Sequence, residues 1–248
     1  MDIKTTNFLV DPKTINDNIL HLDETESHHL AKVFRAQKGD IFYAIDGNGK
    51  KYRTVIKSIT LKKVVGEIIN STRLENEPLL KTTLAVGLCR PAKIDYIIEK
   101  GTEIGINKFI FFTSEKTLAE DCPDNRAVRK LSRWQKIAVS AAKQSLRTVV
   151  PEIMPPVRLD DILVFGDDYD TSLIADMKSE PSPLAALIDS AMRDILLLVG
   201  PESGLSDIEV DRALKAGFKA VKLGPRRLRV ETAAVVFASL VLSTAGEL

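Results

Sequence analysis

Short apolar runs alternate with helical patterns through the second part of the chain, and no other feature of the sequence restricts the fold as strongly. Five runs are typical of buried strands: TTLAVGLC, KFIFFTS, DTSLIAD, DILLLVG and KAVKL. Helices are predicted at KIDYIIEKGTEIG, from about Arg129 to Arg147, at SPLAALIDSAM, at SDIEVDRALKAGF and from about Glu231 onward. Strands that alternate with helices form a parallel sheet with both faces covered, so the sequence predicts an α/β domain.

The first seventy residues have a different pattern, rich in β-branched and aromatic residues. Three runs predict strands, DIFYAID, YRTVIKSI and KVVGEII, and the turn-forming segments GNGKK and TLK separate them. The polar segment NSTRLENEPLL, residues 70–80, is expected to be a linker. The predicted organisation is a small β domain over residues 1–72 and an α/β domain over residues 73–248.

The last predicted helix is apolar nearly all round, from Val230 to Leu242. A helix at a protein surface has only one apolar stripe, so this helix must be buried on most sides. Burial against a second subunit would achieve this, which predicts a homodimer. A core helix within a single chain is the alternative.

Composition and residue spacing exclude several classes of protein. With 44% hydrophobic and 28% charged residues the chain is an ordinary globular one, and it contains neither a membrane-length apolar run nor a signal-peptide pattern. Cys89 and Cys122 have no CxxC spacing, so reduced thiols and a cytoplasmic location are expected. The histidines, His21, His28 and His29, lack the partners of a metal site or a catalytic relay, so no metal is predicted.

Positive charge is concentrated although the net charge is only +1. Residues 126–147 include seven basic residues and no acidic one, and residues 25–63 include nine basic residues against three acidic ones. Local basic fields of this kind favour a polyanionic partner such as nucleic acid, with a merely solvated surface as the alternative.

The helix predicted from about Arg129 to Arg147 has two different faces at 100° per residue. One face carries Leu131, Trp134, Ala138, Ala141 and Ser145. The opposite face carries Arg129, Arg133, Lys136, Lys143 and Arg147. Because this polar face includes no acid, an anion-facing stripe is favoured over an ordinary solvated face.

Two glycine-proline loops each follow a predicted strand and precede a helix, in LLLVGPESGLS and in KLGPRRLRVETA. Glycine lets a ligand approach the backbone, and loops after strands of one parallel sheet can meet at its carboxyl edge. Neither loop has the GxGxxG or GxxxxGK[ST] pattern, which argues against a cofactor anchored through phosphates.

Five segments in order carry a resemblance to a known family: HHLAKVFR (28–35), IDYIIEKGTEIGINKFIFF (94–112), RWQKIAVSAAKQS (133–145), LLLVGPESG (196–204) and LGPRRLRVETAA (223–234). Together they resemble the ribosomal small-subunit RNA methyltransferase E family, SPOUT-class enzymes that methylate N3 of a uridine in 16S ribosomal RNA. The resemblance implies an N-terminal PUA-like β-barrel and a C-terminal SPOUT α/β domain with a parallel sheet and a trefoil knot. It also implies S-adenosylmethionine as cofactor, a homodimer, and the 30S ribosomal subunit as partner. Another SPOUT methylation, on a ribose 2′-oxygen or another base, and a non-catalytic RNA-binding protein are the alternatives.

The resemblance assigns roles to individual residues. The cofactor-binding residues that it implies are Leu198, Gly200, Pro201, Glu202, Gly204, Leu223, Gly224, Leu228 and Thr232. Residues expected to contact RNA, from the basic helix and from the resemblance, are His29, Arg35, Arg129, Arg133, Lys136, Lys143, Arg147 and Arg227.

Methylation of a uridine at N3 requires loss of the imide proton, and this loss spreads negative charge toward O2 and O4 until the methyl group is transferred. An arginine at that edge of the base would stabilise this charge. Arg229 and Arg226 are therefore the catalytic candidates, with Glu231 orienting an arginine or favouring the helix N-terminus. Glu202 is a candidate base as well as a cofactor ligand.

The chain departs from the usual pattern of that family at three places. Ser203 replaces a glycine in the first glycine-proline loop. Leu146 and Val149 replace a glycine and an arginine, and residues 7–9, Asn-Phe-Leu, replace an Arg-Phe-Phe-like stretch. We expect these departures to affect RNA contacts more than cofactor binding.

Overall fold

The computed structural model describes residues 1–116, 127–180, 183–189 and 191–248, with only the backbone for residues 127–129. The chain divides into two compact units, residues 1–77 with 139–150 and residues 78–138 with 151–248. The first unit therefore includes a segment that the division at residue 72 assigns to the α/β domain. Cys122, expected to be a reduced thiol, lies outside the described residues.

The first unit is built around a six-stranded sheet. Its strands are β1 (Phe8–Leu9), β2 (Ile15–Asn16), β3 (Ile19–Leu22), β4 (Ile41–Ile45), β5 (Lys50–Ile59) and β6 (Val64–Arg73), in the order β1-β4-β5-β6-β3-β2. Only the β1–β4 pair is parallel. The three strands predicted from the sequence form β4, β5 and β6, and their inward side chains, among them Phe42, Ile56 and Val64, form the core of this unit.

The prediction that residues 70–80 form a linker was wrong for residues 70–73, because β6 continues to Arg73. Residues 70–73 pair with residues 50–53 of β5. This pairing provides hydrogen-bond partners for their backbone N–H and C=O groups, although their side chains are polar and exposed. A short helix that the sequence did not predict, α1 (Glu24–His28), begins where the Asp23 side chain accepts a hydrogen bond from the backbone N–H of Glu26.

The second unit is an α/β domain with a parallel sheet, as predicted. In chain order its elements are β7 (Lys81–Gly87), α2 (Pro91–Glu103), β8 (Lys108–Thr113), α3 (Ala127–Gln144), β9 (Glu152–Ile153), β10 (Val157–Arg158), α4 (Leu159–Phe165), β11 (Thr171–Ala175), β12 (Asp194–Val199), α5 (Asp207–Lys215), β13 (Lys219–Val221) and α6 (Val230–Thr244). The strand order is β10-β8-β7-β12-β11-β13, every pair is parallel, and β9 also pairs with β8. Residues 139–144 of α3 belong to the first unit.

Local signals in the sequence place several helix ends correctly. A capping box between Ser206 and Glu209 starts α5, and Gly217, at φ 86°, follows its end. Likewise Gly105, at φ 109°, follows α2. The apolar face predicted for α3 is confirmed, since Trp134 and Ala138 are buried.

Two helix predictions differ from the structure. The helix α3 ends at Gln144 rather than Arg147, because Leu146 adopts φ 61° and turns the chain away. In SPLAALIDSAM the described residues form only a 3-10 turn, Leu184–Ala186. None of its described residues is buried, so a longer helix there would lack the packing that stabilises short helices.

The final helix α6 is buried along one face, at Val230, Ala234, Phe237, Ala238, Val241 and Leu242, whereas its composition predicts burial on most sides. It packs against α2, β7 and β12 within the second unit, and its fully enclosed side chains include Ala234, Phe237 and Val241. One large apolar side chain, Leu240, remains 41% exposed. Across the residues that the structure describes, no helix combines the length and apolarity needed to cross a membrane.

Candidate active site

The two glycine-proline loops lie at the same edge of the parallel sheet. The first glycine loop, residues 200–205, follows β12, and the second glycine loop, residues 222–229, follows β13. The strand β11 pairs with both β12 and β13, so the segment after β11 lies between the two loops. The sequence prediction that the loops share one sheet edge is confirmed.

An open cavity of about 340 Å³ lies between the two loops and the segment after β11. This volume suits a small-molecule ligand. Its apolar lining includes Val199, Leu205, Val210, Leu228 and Val230. Its carboxylates are those of Asp176, Glu202 and Asp207. Its basic side chains are those of Lys116, Lys178, Arg226 and Arg227. The cavity can therefore hold a ligand with one apolar part and several polar groups.

Two positions around the first glycine loop have no room for a side chain, because neighbouring residues lie close to the backbone there. A Cβ atom on Gly87, at the end of β7, would lie 2.4 Å from the backbone nitrogen of Pro201. A Cβ atom on Gly200 would lie 3.0 Å from the Leu205 side chain. Gly204 and Gly224 are required for another reason, since they adopt φ 75° and φ 133°.

Hydrogen bonds hold the first glycine loop to the segment after β8. The Ser203 hydroxyl donates to the carbonyl oxygen of Lys116 at 2.8 Å, and the Lys116 ammonium donates to the carbonyl oxygen of Leu205 at 3.1 Å. Within the loop, the Gly204 N–H donates to the Pro201 carbonyl at 2.8 Å. The side chain that Ser203 adds thus anchors the loop.

Lys93, in the first turn of α2, bridges two carboxylates that belong to other elements. Its ammonium lies 3.4 Å from Glu202 of the first glycine loop and 3.1 Å from Glu231 of α6. Burial raises the pKa of Glu231, but its own backbone N–H, the Lys93 ammonium and the Arg229 charge outweigh this and hold the pKa below its usual value. Sequence reasoning missed Lys93, whose only signal was its position in a helix that begins at the same sheet edge.

The three arginines of the second glycine loop are exposed, and none has a carboxylate within ion-pair distance among the described residues. Arg226 and Arg227 line the cavity, whereas Arg229 lies beside it as the residue preceding α6. The structure thus places unneutralised positive charge at the cavity and its edge. Glu231 is drawn instead toward Lys93.

Seven of the nine residues predicted to bind cofactor line the cavity: Gly200, Pro201, Glu202, Gly204, Leu223, Gly224 and Leu228. The other two do not line it. Leu198 is fully buried in the core of the second unit, and Thr232 is exposed on α6.

The residues predicted to contact RNA have different surroundings. Arg35, Lys136 and Arg227 are exposed, and Arg133 is 62% exposed while pairing with Asp95 of α2. Arg147 is only 2% exposed, and its guanidinium donates to Glu77 at 2.8 and 3.1 Å. Arg147 therefore has a structural role that its spacing did not indicate, and the side chain of Arg129 lies outside the described residues.

Lys143 and His29 belong to a cluster in the first unit. The Lys143 ammonium pairs with the buried Glu26 carboxylate and lies over the Phe8 ring. The half-buried His29 ring contacts the rings of Phe8 and Phe34 at centroid distances of 5.7 and 5.2 Å. Burial lowers the pKa of His29, and the Lys143 ammonium lowers it further against the opposing effect of Glu26.

In the described ranges, no group of three or more His, Cys, Asp or Glu side chains could hold a metal ion.

Family models match most of the chain, one described as an RNA methyltransferase domain over residues 75–242 and one as an RNA methyltransferase PUA domain over residues 22–69. The fold and the cavity therefore belong to an RNA methyltransferase.

The chain belongs to the ribosomal RNA small subunit methyltransferase E family. It is 34% identical to the protein of that name from Bacillus subtilis, with 84% of this chain and 83% of the relative covered. It is 32% identical to the one from Synechocystis, over 92% of this chain and 74% of the relative. A crystal structure of a ribosomal RNA small subunit methyltransferase E from Neisseria gonorrhoeae, bound to S-adenosyl methionine, has a TM-score of 0.85 at 27% identity and covers 97% of this chain and 98% of its own.

Proposed function

We propose that the protein transfers the methyl group of S-adenosylmethionine to N3 of a uridine in the 16S ribosomal RNA of the small subunit. The observation that carries this proposal is the cavity between the two glycine loops, with uncompensated arginines at its edge. The names of the relatives and the ligand in the Neisseria gonorrhoeae structure support the same reaction and cofactor.

The lining of the cavity suits the groups of S-adenosylmethionine. The carboxylates of Asp176, Glu202 and Asp207 can accept hydrogen bonds from hydroxyl and ammonium groups, and the basic side chains beside them can bind a carboxylate. Gly204 and Gly224 leave open space where a Cβ atom would stand, so a ligand can lie directly against the backbone. Leu205, Val210 and Leu228 would cover an apolar ring system.

S-adenosylmethionine supplies an electrophilic methyl group, because the carbon is bonded to a positively charged sulfur. In the reaction the bond from this carbon to uridine N3 forms, the bond to sulfur breaks, and the N3 proton is lost to solvent or to a base. The protein must offset the negative charge that develops on the base. The exposed guanidinium groups of Arg226, in the cavity lining, and of Arg229, which precedes α6, are the proposed source of this stabilising charge.

Glu231 acts in this scheme by its charge and position. It pairs with Lys93, its negative charge also acts at longer range on Arg229, and it complements the N-terminus of α6. Glu202, held by Lys93 and by the Arg90 N–H at 3.3 Å, contributes a fixed carboxylate to the cavity wall.

Basic side chains on each unit would bind the ribosomal RNA backbone. Arg35 of the first unit and Arg133, Lys136 and Arg227 of the second are exposed and carry the charge that phosphates require. A target base in ribosomal RNA must leave its stack before its N3 can reach a group bound in the cavity. We propose that these contacts position the RNA while the base is drawn out, and that this work takes place in the cytoplasm, where ribosomal subunits are found.

We also propose that the protein forms a homodimer through the α2 and α6 helices. These helices pack on each other, and each retains one large exposed side chain, Tyr96 at 45% and Leu240 at 41%. A charged substitution at Leu240 would prevent a partner from covering this apolar surface. Light scattering should show a dimer for the wild type and a monomer for Leu240→Glu, and a monomeric wild type would contradict the proposal.

Methyl transfer from labelled cofactor to small ribosomal subunits that lack the modification tests the proposed reaction. We expect labelled 3-methyluridine after complete nucleoside digestion and mass analysis. Label on a ribose oxygen or on another base would replace the proposed reaction by a different RNA methylation. Absence of both cofactor binding and transfer would favour a non-catalytic RNA-binding protein.

A further inference from the structure

Lys93 connects three elements of the second unit that are distant in sequence. It lies on α2, while its two partners lie on the first glycine loop and in the first turn of α6. Its side chain is only 23% exposed, and those of Glu202 and Glu231 are 30% and 17% exposed. These ion pairs are therefore shielded from solvent more than ordinary surface pairs.

The bridge has an electrostatic consequence for the cavity. Without an ammonium between them, the carboxylates of Glu202 and Glu231 would repel each other in partly buried surroundings, where repulsion is stronger than in water. The two elements would then separate. One of these elements lines the cofactor cavity, and the other follows directly after Arg229.

We infer that Lys93 is a positioning residue that fixes the first glycine loop relative to the start of α6, so that bound cofactor and Arg229 keep the separation that methyl transfer needs. This inference rests on the proposed function. Lys93 touches neither reactant in this account and acts through its two carboxylate partners. Displacement of a reacting group by about 1 Å is enough to lower a rate about a hundredfold.

The chain offers a matched control on the same helix. Lys100 also binds two carboxylates, Glu99 and Glu103, each at 2.8 Å, but both belong to α2 itself. Lys93→Met and Lys100→Met each remove one ammonium from α2, yet only the first removes a link between elements. Lys93→Arg keeps the charge and can still reach both partners.

The test measures cofactor binding by calorimetry and methyl transfer at saturating cofactor. For Lys93→Met we expect the Kd for S-adenosylmethionine to rise about tenfold and kcat to fall at least tenfold. Lys93→Arg should recover most of both losses, and Lys100→Met should match the wild type. A Tm of Lys93→Met close to that of the wild type would show that the losses of affinity and kcat do not come from unfolding.

A double variant shows whether Lys93 acts through its partners. Lys93→Met combined with Glu231→Gln should be no worse than the more damaged single variant, because both changes remove the same link. The inference would be overturned if the losses of affinity and kcat in the two single variants multiplied in the double variant. A Lys93→Met protein with wild-type Kd and kcat would also overturn it. If the wild type binds cofactor but methylates no RNA, the proposed function fails, while the calorimetric comparison still decides the role of Lys93.

Discussion

Gly87 and Pro201 lie so close together that a Cβ atom on Gly87 would stand 2.4 Å from the Pro201 nitrogen and 2.9 Å from its Cα. This approach joins the end of β7 to the first glycine loop. The backbone of Pro201 cannot give way easily, since the same residue accepts the hydrogen bond that closes the loop at Gly204. The position of the cofactor loop therefore depends on the absence of a side chain at residue 87.

A Gly87→Ala substitution should displace the first glycine loop and weaken cofactor binding at least tenfold, while destabilising the fold by about 1–3 kcal/mol. Calorimetry with S-adenosylmethionine and denaturant unfolding measure the two effects. Gly66→Ala is the matched control, because its Cβ atom would lie 2.2 Å from the Thr54 side chain in the first unit. It should lose stability but keep the affinity for cofactor, and equal losses of affinity in both variants would contradict the explanation.

Ser203→Gly, which restores the residue usual in the family, should leave the Kd for cofactor within about threefold of the wild type. The Ser203 hydroxyl is directed to the Lys116 carbonyl, so its loss should cost about 0.5–1.5 kcal/mol of stability. Thermal unfolding and calorimetry measure these quantities. Ser203→Ala separates the lost hydrogen bond from the added backbone freedom of glycine, and a large change of affinity in that variant would show that the hydroxyl contacts the ligand.

Arg229→Ala should lower kcat about 10²- to 10³-fold, because it removes the charge proposed to stabilise the negative charge on the deprotonating base in the transition state. The Kd for cofactor should change little, since Arg229 does not line the cavity. Arg226→Ala, at a residue that does line it, should change both quantities. An Arg229→Ala enzyme with wild-type kcat would remove Arg229 from the chemistry.

Arg147 and Lys136 should respond in opposite ways to removal of their charges. Arg147→Met leaves the buried Glu77 carboxylate with hydrogen bonds from the backbone N–H groups of Thr148 and Val149 but without its charged partner. It should cost about 3–5 kcal/mol of stability, with little change in the salt dependence of RNA binding. Lys136→Met, at an exposed position on α3, should be neutral for stability. It should reduce the slope of log K against log salt by about 0.7–0.9. A reduced slope in Arg147→Met would instead support an RNA contact there.

The lowered pKa of His29 predicts a loss of stability in acid. The folded protein favours the neutral imidazole, so this contribution is complete above the unfolded pKa of about 6.5 and is lost as the pH falls through the lower folded pKa. The Tm of the wild type should therefore fall more steeply below pH 6.5 than that of His29→Phe. His28→Phe, at an exposed neighbouring position, should keep the wild-type profile, and parallel curves for all three proteins would contradict the prediction.

Local patterns were sufficient to predict the α/β architecture, most strand positions and the two loops that form the cavity. Apolar runs and helix caps act over a few residues, so they can be recognised without knowledge of the rest of the chain. The family resemblance added the reaction and the cofactor, because it joins segments that are spread over residues 28–234. The predicted boundary at residue 72 and the roles of individual site residues remain predictions.

Contacts between distant elements determined what the sequence could not. The spacing of Arg147 placed it on a basic helix face, but Leu146 ends the helical geometry and Glu77 buries the guanidinium. Lys93 had no distinctive motif, and its importance appears only when α2, the first glycine loop and α6 come together. The sequence alone thus determined most strands and helices of the parallel sheet and the sheet edge that carries the site. Only the tertiary structure decided which charges are neutralised and which face the ligand, because ion pairing and burial depend on residues brought together from across the chain.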